Sequence, residues 1–166
     1  MPVGISLAGD DFDRWDDLHR LLMDCFAYMA PRINPPTSLL QMGPDVLAEK
    51  AKSETLILAM DDERIAGCIF VRLMADKAYV GKLAVDPGYR GQAIARKLME
   101  AAEVLAIEYG LPVLELQTRI ELHENHAAFA KLGFVKVAET AHPGFDRPTS
   151  ITMRRLAATR RKDNAA

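Results

Sequence analysis

The stretch "KLAVDPGYRGQAIARKLMEAAEVLA", residues 82–106, changes character halfway along. An apolar, β-type run passes through Asp86-Pro87-Gly88 and becomes a helical pattern with Ile94, Leu98, Ala101 and Leu105 on one face. A stop follows at Tyr109-Gly110. The first turn of that helix carries small residues and no carboxylate. Such a helix start exposes backbone N–H groups at the positive end of the helix dipole, and small side chains let an anion come close. Gly91 permits close backbone approach, Ala93 and Ala95 keep the surface low, and Arg90, Arg96 and Lys97 add positive charge. A pyrophosphate suits this arrangement; the other reading is that Arg90-Gly91 only makes a tight strand-to-helix turn and the alanines only pack the helix on the sheet. The stretch is neither a P-loop, which ends in Gly-Lys-Ser/Thr, nor a complete Gly-x-Gly-x-x-Gly.

Working outward, "ETLILAM", "RIAGCIFVRL" and "KAYVGKLAV" are three β-type runs joined by short polar links, which predicts an antiparallel meander. On the far side of the helix, "LPVLELQT" forms a further strand, and a crossover helix makes the sheet locally parallel there. A short helix is expected over about Asn125–Leu132, with Asn125 as its N-cap and Gly133 as its stop. "FVKVAET" and "TSITMRRL" close the sheet around the loop "AHPGFDRP". Toward the N-terminus, Pro2–Ala8 reads as a first strand, and Asp10 or Asp11 as the cap of a helix to about Tyr28. Pro31, Pro35 and Pro36 forbid continuous helix, and a second helix starts at Pro44 and runs to Ser53. The expected fold is a mixed α/β (α+β), mostly antiparallel twisted sheet of about seven strands with about four helices. It forms one domain over residues 1–156, followed by a polar tail, 157–166.

The chain has 166 residues, 49% of them hydrophobic, enough for one core. A formal charge of −2 provides no overall attraction to nucleic acid or an anionic membrane, so no nucleic-acid or membrane partner is expected. No apolar run approaches the ~20 residues of a membrane span, and the start lacks a signal-peptide pattern, so the chain reads as cytoplasmic. Cys25 and Cys68 lie far apart with no paired motif and read as reduced core residues, with no metal site. Neither has a His at a spacing that would make a thiolate nucleophile.

With these elements in place, "LAVDPGYRGQAIARKLM" resembles motif A of the GNAT acetyltransferase superfamily. "ENHAAFAKLGF" and "AHPGFDRPTSITMRR" are similar to later segments of a bacterial subgroup, and "FAYMAPRINPPTSL" is similar to its substrate-side loop. The resemblance spans about Val3–Leu156 and implies N-acetyl transfer from acetyl-CoA to a primary amine by direct attack. It implies a coenzyme loop over Arg90, Gly91, Gln92, Ala93, Ile94, Ala95 and Arg96. Backbone groups of Leu83, Ala84 and Val85 would lie along the pantetheine arm, with the Val85 amide nearest the thioester oxygen. Asn125 and Phe129 would stand beside the coenzyme. Two positions depart from the pattern. Ala93 occupies a usual Gly position, where helix-compatible backbone angles would tolerate it. Phe129 stands where many members carry a Tyr that protonates the leaving thiolate.

Direct transfer requires removing a proton from the amine, stabilising an oxyanion and accommodating the thiolate. Glu115, Glu121, His123 and His142 are candidate bases, and no spacing selects one. His123 also suits a surface cap of the following helix. Tyr28, Arg32 and Arg147, with Asp146 beside the last, lie in or next to Pro-rich loops, where they could hold an acceptor or brace the loop. Two other readings stay open: a coenzyme-binding protein without chemistry, and a homodimeric interaction module with a vestigial cleft. A homodimer is also compatible with the transferase reading, through an exposed edge expected near "TSITMRRL".

Overall fold

The apolar runs of the central third alternate between two cores, which is why they read as almost continuously hydrophobic. In the computed structural model, which describes residues 3–157, they form β2 (Thr55–Asp61), β3 (Arg64–Leu73) and β4 (Ala78–Val85), an antiparallel meander. Ile57, Ile69 and Val80 face one side, Leu58, Cys68 and Phe70 the other. On the first side the long helix α3 (Ile94–Glu108) buries Leu98, Met99 and Ala102 against them. On the second, α1 (Trp15–Phe26) and α2 (Pro44–Ser53) bury Leu18, Leu22 and Leu47. The remaining elements are β1 (Gly4–Leu7), β5 (Val113–Arg119), α4 (His123–Lys131), β6 (Val135–Thr140) and β7 (Ser150–Leu156). The seven strands run in the order β1-β2-β3-β4-β5-β7-β6. This is the mixed, mostly antiparallel sheet with four α-helices that the sequence predicts.

Two irregularities shape the centre of the sheet. The parallel β4–β5 pair is in register only at Ala78 with Leu114 and Tyr79 with Glu115, so Gly81–Val85 have no partner on that side and a gap opens toward the ends of both strands. On the other edge of β4, Cys68 pairs with Ala84 but Phe70 with Gly81, leaving Lys82 and Leu83 opposite Ile69 alone. Lys82 takes φ 54°, the left-handed region, and forms a β-bulge there.

Several expectations are corrected. Helix α1 begins at Trp15 with Arg14 at the N-cap and no side-chain cap, so Asp10 and Asp11 lie outside it. Asn125 is not an N-cap: α4 starts at His123, and Leu122 occupies the cap. At the C-terminal end of the sheet the edge strand is β6, all six residues of which are exposed, while β7 lies inside the sheet between β5 and β6. Arg154 and Arg155 of β7 pair with Glu115 and Glu103. Pro2 and the tail from residue 158 lie outside the described residues. No described helix is long and apolar enough to cross a membrane.

Candidate functional site

The strand-to-helix connection after β4 is held by its own side chains. Asp86 Oδ1 accepts from the Gly88 amide at 2.8 Å, and Asp86 Oδ2 accepts from Arg64 Nη2 at 3.0 Å. Together these hold the Asp86 carboxyl below its usual range. Tyr89 Oη donates to Asp61 at 2.5 Å, tying the turn to the end of β2. The chain then passes Gly91 at φ 83°, with open space where a Cβ would stand. Ala93 is the N-cap of α3 at φ 59°, ψ 29°. This overturns the expectation that Ala93 has helix-compatible angles: it sits in the left-handed region that favours glycine. The first intrahelical bond runs from the Lys97 amide to the Ala93 carbonyl. The amides of Ile94, Ala95 and Arg96 therefore precede the helical ladder, with no acidic side chain in that turn. Arg90, Gly91, Gln92, Ala93 and Arg96 are exposed around them, while Ile94 is buried in the core and anchors the turn.

The gap between β4 and β5 leads to this helix start. Leu83 and Val85 pack toward α3 and Ala84 toward α1. The Asp86 amide donates to the Ala66 carbonyl at 2.8 Å, so by the alternation of an antiparallel ladder the Val85 amide and carbonyl point away from β3. Cys25 Sγ donates to that carbonyl at 3.3 Å. Burial, and then the neighbouring Asp86, pushes the Cys25 thiol up, which keeps it protonated.

The far end of the gap is roofed by the segment between α1 and α2, stapled onto the start of α4. Arg32 forms a two-pronged pair with Glu124, Nη2 donating to Oε1 at 2.8 Å and Nη1 to Oε2, and holds the Glu124 carboxyl down at about 2. Tyr28 Oη and the Asn125 side chain hydrogen-bond at 3.2 Å. Arg119, at the end of β5, donates to the Pro35 and Pro36 carbonyls at 2.6 and 3.0 Å, and Arg147 Nη2 donates to the Asn34 carbonyl at 3.3 Å. Thus Tyr28, Arg32 and Arg147 come together, and the contacts of both arginines brace loops. Phe129, one turn beyond Asn125 on α4, packs edge-on against Phe134 with centroids 6.1 Å apart.

The candidate bases separate. Glu115 is 7% exposed and already paired, with Arg154 Nε at 2.7 Å and Lys77 Nζ at 3.6 Å, at the closed end of the gap. His123 is exposed at the first position of α4, edge-on to His126, and does not cap the helix through its side chain. Glu121 stands just past β5: Oε2 accepts from the Asn34 amide at 3.4 Å, and Oε1 is buried without a hydrogen-bond partner among the described residues. His142, on the β6–β7 loop, hydrogen-bonds Thr149, and burial together with the Arg119 charge lowers its pKa, leaving a neutral imidazole at pH 7.

Lys82 escaped the sequence reading, although a lysine after glycine inside "AYVGKLAV" was a signal. Its Nζ donates to Ser38 Oγ, on the short helical turn Ser38–Gln41 that precedes α2, at 3.4 Å. Burial and then the Lys50 charge lower its pKa. Among the described residues no cluster of three His, Cys, Asp or Glu could hold a metal.

A sequence profile of the acetyltransferase (GNAT) family matches residues 15–134. The uncharacterized N-acetyltransferase YfmK of Bacillus subtilis is 29% identical over 109 residues, 63% of this chain and 69% of that protein. Among solved structures, the PaiA N-acetyltransferase of Thermoplasma acidophilum, in complex with coenzyme A, superposes with a TM-score of 0.77 at 16% identity. That match covers 94% of this chain and 99% of the other. The ribosomal-protein-S18-alanine N-acetyltransferase of Escherichia coli superposes at 0.64 with 20% identity, covering 95% of each chain.

Proposed function

Because the chain belongs to the acetyltransferase (GNAT) family, we propose that it transfers an acetyl group from acetyl-CoA to a primary amine of a small molecule or protein. One observation carries this reading: the unpaired side of Gly81–Val85 leads to a helix start that presents backbone amides beside Arg90 and Arg96. The pyrophosphate docks on the Gly91–Arg96 turn, which needs an anion to complete its hydrogen bonding. The pantetheine arm lies along Leu83–Val85 as a surrogate strand, and the outward Val85 amide donates to the thioester oxygen. Asn125 and Phe129 flank the arm on the α4 side.

The amine nitrogen bonds to the thioester carbon, the carbon–sulfur bond breaks, and one proton leaves nitrogen while one is taken up by sulfur. Of the four candidate bases, Glu121 and His142 fit the proton-accepting role: one has a buried free carboxylate oxygen, and the other a neutral ring. Glu115 is held by two cations, so its role is to hold β5 and β7 together rather than to take a proton. Phe129 offers sulfur no proton, so the thiolate takes one from water.

Calorimetric titration with acetyl-CoA, followed by thiol release against a panel of amines, tests the proposal. Binding with amine-dependent release is expected; binding without release across the panel would favour a coenzyme-binding protein without chemistry, which the missing hydroxyl at Phe129 already suggests. Gly91→Glu places an anion at the docking turn and is expected to weaken binding at least about 10-fold. Since φ 83° strains any side chain there, Gly91→Ala is the matched control. Equal affinities for the two variants would refute the docking turn.

A further inference from the structure

The α2 side of the cleft carries positive charge that its internal pairs do not absorb. Lys50 is matched by Glu54 at 2.8 Å, and Lys77 and Arg154 share Glu115. Lys82 and Arg119 have no carboxylate within 4 Å among the described residues, and Arg119 is engaged with proline carbonyls. Lys82 is only half-exposed, so its ammonium has lost part of its hydration with a single hydroxyl, Ser38 Oγ, in return. An incompletely solvated cation with no carboxylate in contact is costly to keep. It is also held there by a bulge that forces a non-glycine residue to φ 54°, in the left-handed region that favours glycine. A lysine that served only to coat the surface would need neither the bulge nor the burial.

We propose that the acceptor is a small amino-carboxylate, whose carboxylate docks on the Lys82 ammonium and the Ser38 hydroxyl while its amine points into the gap. This rests on the acetyl-transfer reading and names the acceptor class for the same cleft. The charge balance selects an anion: Lys82 is partly buried, Lys50 and Arg119 stand around it, and the one carboxylate acting on it, Glu54, is already paired with Lys50. A neighbouring groove of about 290 Å³, lined by Lys50, Glu54, Arg72, Lys77, Glu115 and Gln117 among others but not by Lys82 or Ser38 themselves, gives the rest of a small acceptor a place to lie. That volume is at the lower end of small-molecule sites.

The experiment compares kcat/KM for thiol release from acetyl-CoA with matched acceptors: the common α-amino acids, β-alanine and γ-aminobutyrate, each against its carboxamide, and aminoalkyl phosphates. Acetyl-CoA affinity is measured in parallel by calorimetry. The full chain is expected to prefer at least one acid over its amide about 10-fold or more, the worth of a charge-assisted contact. Lys82→Met is expected to erase that preference through KM with acetyl-CoA affinity unchanged. Lys82→Arg should keep most of the preference, which a merely structural role would not require. Ser38→Ala, on an exposed turn, is expected to raise KM for the acid a few-fold and serves if Lys82→Met does not fold.

Amides matching acids, phosphates outperforming carboxylates, or turnover of carboxylate-free amines alone would each overturn the proposal. So would bound acetyl-CoA with no amino acid acetylated, which leaves the acetyl-transfer reading standing. Failure to bind acetyl-CoA would overturn that reading and this inference with it.

Discussion

Ala93 shows how one methyl group can matter at the start of α3. Its left-handed backbone puts Cβ near the following carbonyl, a strain glycine would not carry. Replacing it by glycine removes about 1–2 kcal/mol of strain and adds about 0.4–1 kcal/mol of unfolded-state entropy. Ala93→Gly is therefore expected to raise stability by up to about 1.5 kcal/mol, a Tm gain of up to roughly 3–6 °C by calorimetry. A lower Tm would mean that the methyl makes contacts that outweigh the strain. The departure at Ala93 was plain in the sequence, but its conformation was not: a shift of one residue in where the helix begins decides between helical and left-handed angles. Lys82 was hidden for a similar reason, since a bulge is a property of pairing between two strands and leaves no periodic mark on one of them.

Between elements, the loop after α1 is fastened to α4 by charge. With the carboxyl of Glu124 held at about 2 by Arg32, against about 4.3 for a free glutamate, the pair stabilises the fold above the unfolded value and is lost as pH falls from there through about 2. An NMR titration of the Glu124 carboxyl is expected to show this depressed value, and Arg32→Ala is expected to return it to the ordinary range. Both side chains are exposed, so the same substitution should change global stability little. An unshifted Glu124 in the native chain would show that the staple is not formed in solution. Helices and strands were legible because burial writes periods of 3.6 and 2 into the chain; the boundaries of α2, β3 and α3 fall where Pro, Gly and apolar spacing put them. The start of α4 was not, because Asn125, which resembles a cap, instead bonds across to Tyr28. Contacts between distant loops, such as Arg119 with Pro35 or Arg147 with Asn34, have no signature in either segment alone.

At the scale of the molecule, the sheet, its order and its one parallel junction follow from the succession of elements, while the extent of that junction does not. Two paired positions join β4 to β5, and a ligand lying along Gly81–Val85 would add backbone bonds to an otherwise bare strand. Acetyl-CoA at 100 times its dissociation constant is expected to add about 2.7 kcal/mol to the folded state, a Tm rise of roughly 5–10 °C in a thermal melt. No shift under saturating acetyl-CoA would contradict the docking geometry. The short junction also has a mechanical side. It divides the sheet into two plates, β1–β4 and β5–β7–β6, sharing a seam two residues long. Helix α3 packs on β2, β3, β4 and β5 and so lies across that seam as a splint. The plates are thus joined by α3 as well as by the two-residue ladder, and a molecule gripping the N-terminal end of α3 holds the element that spans both.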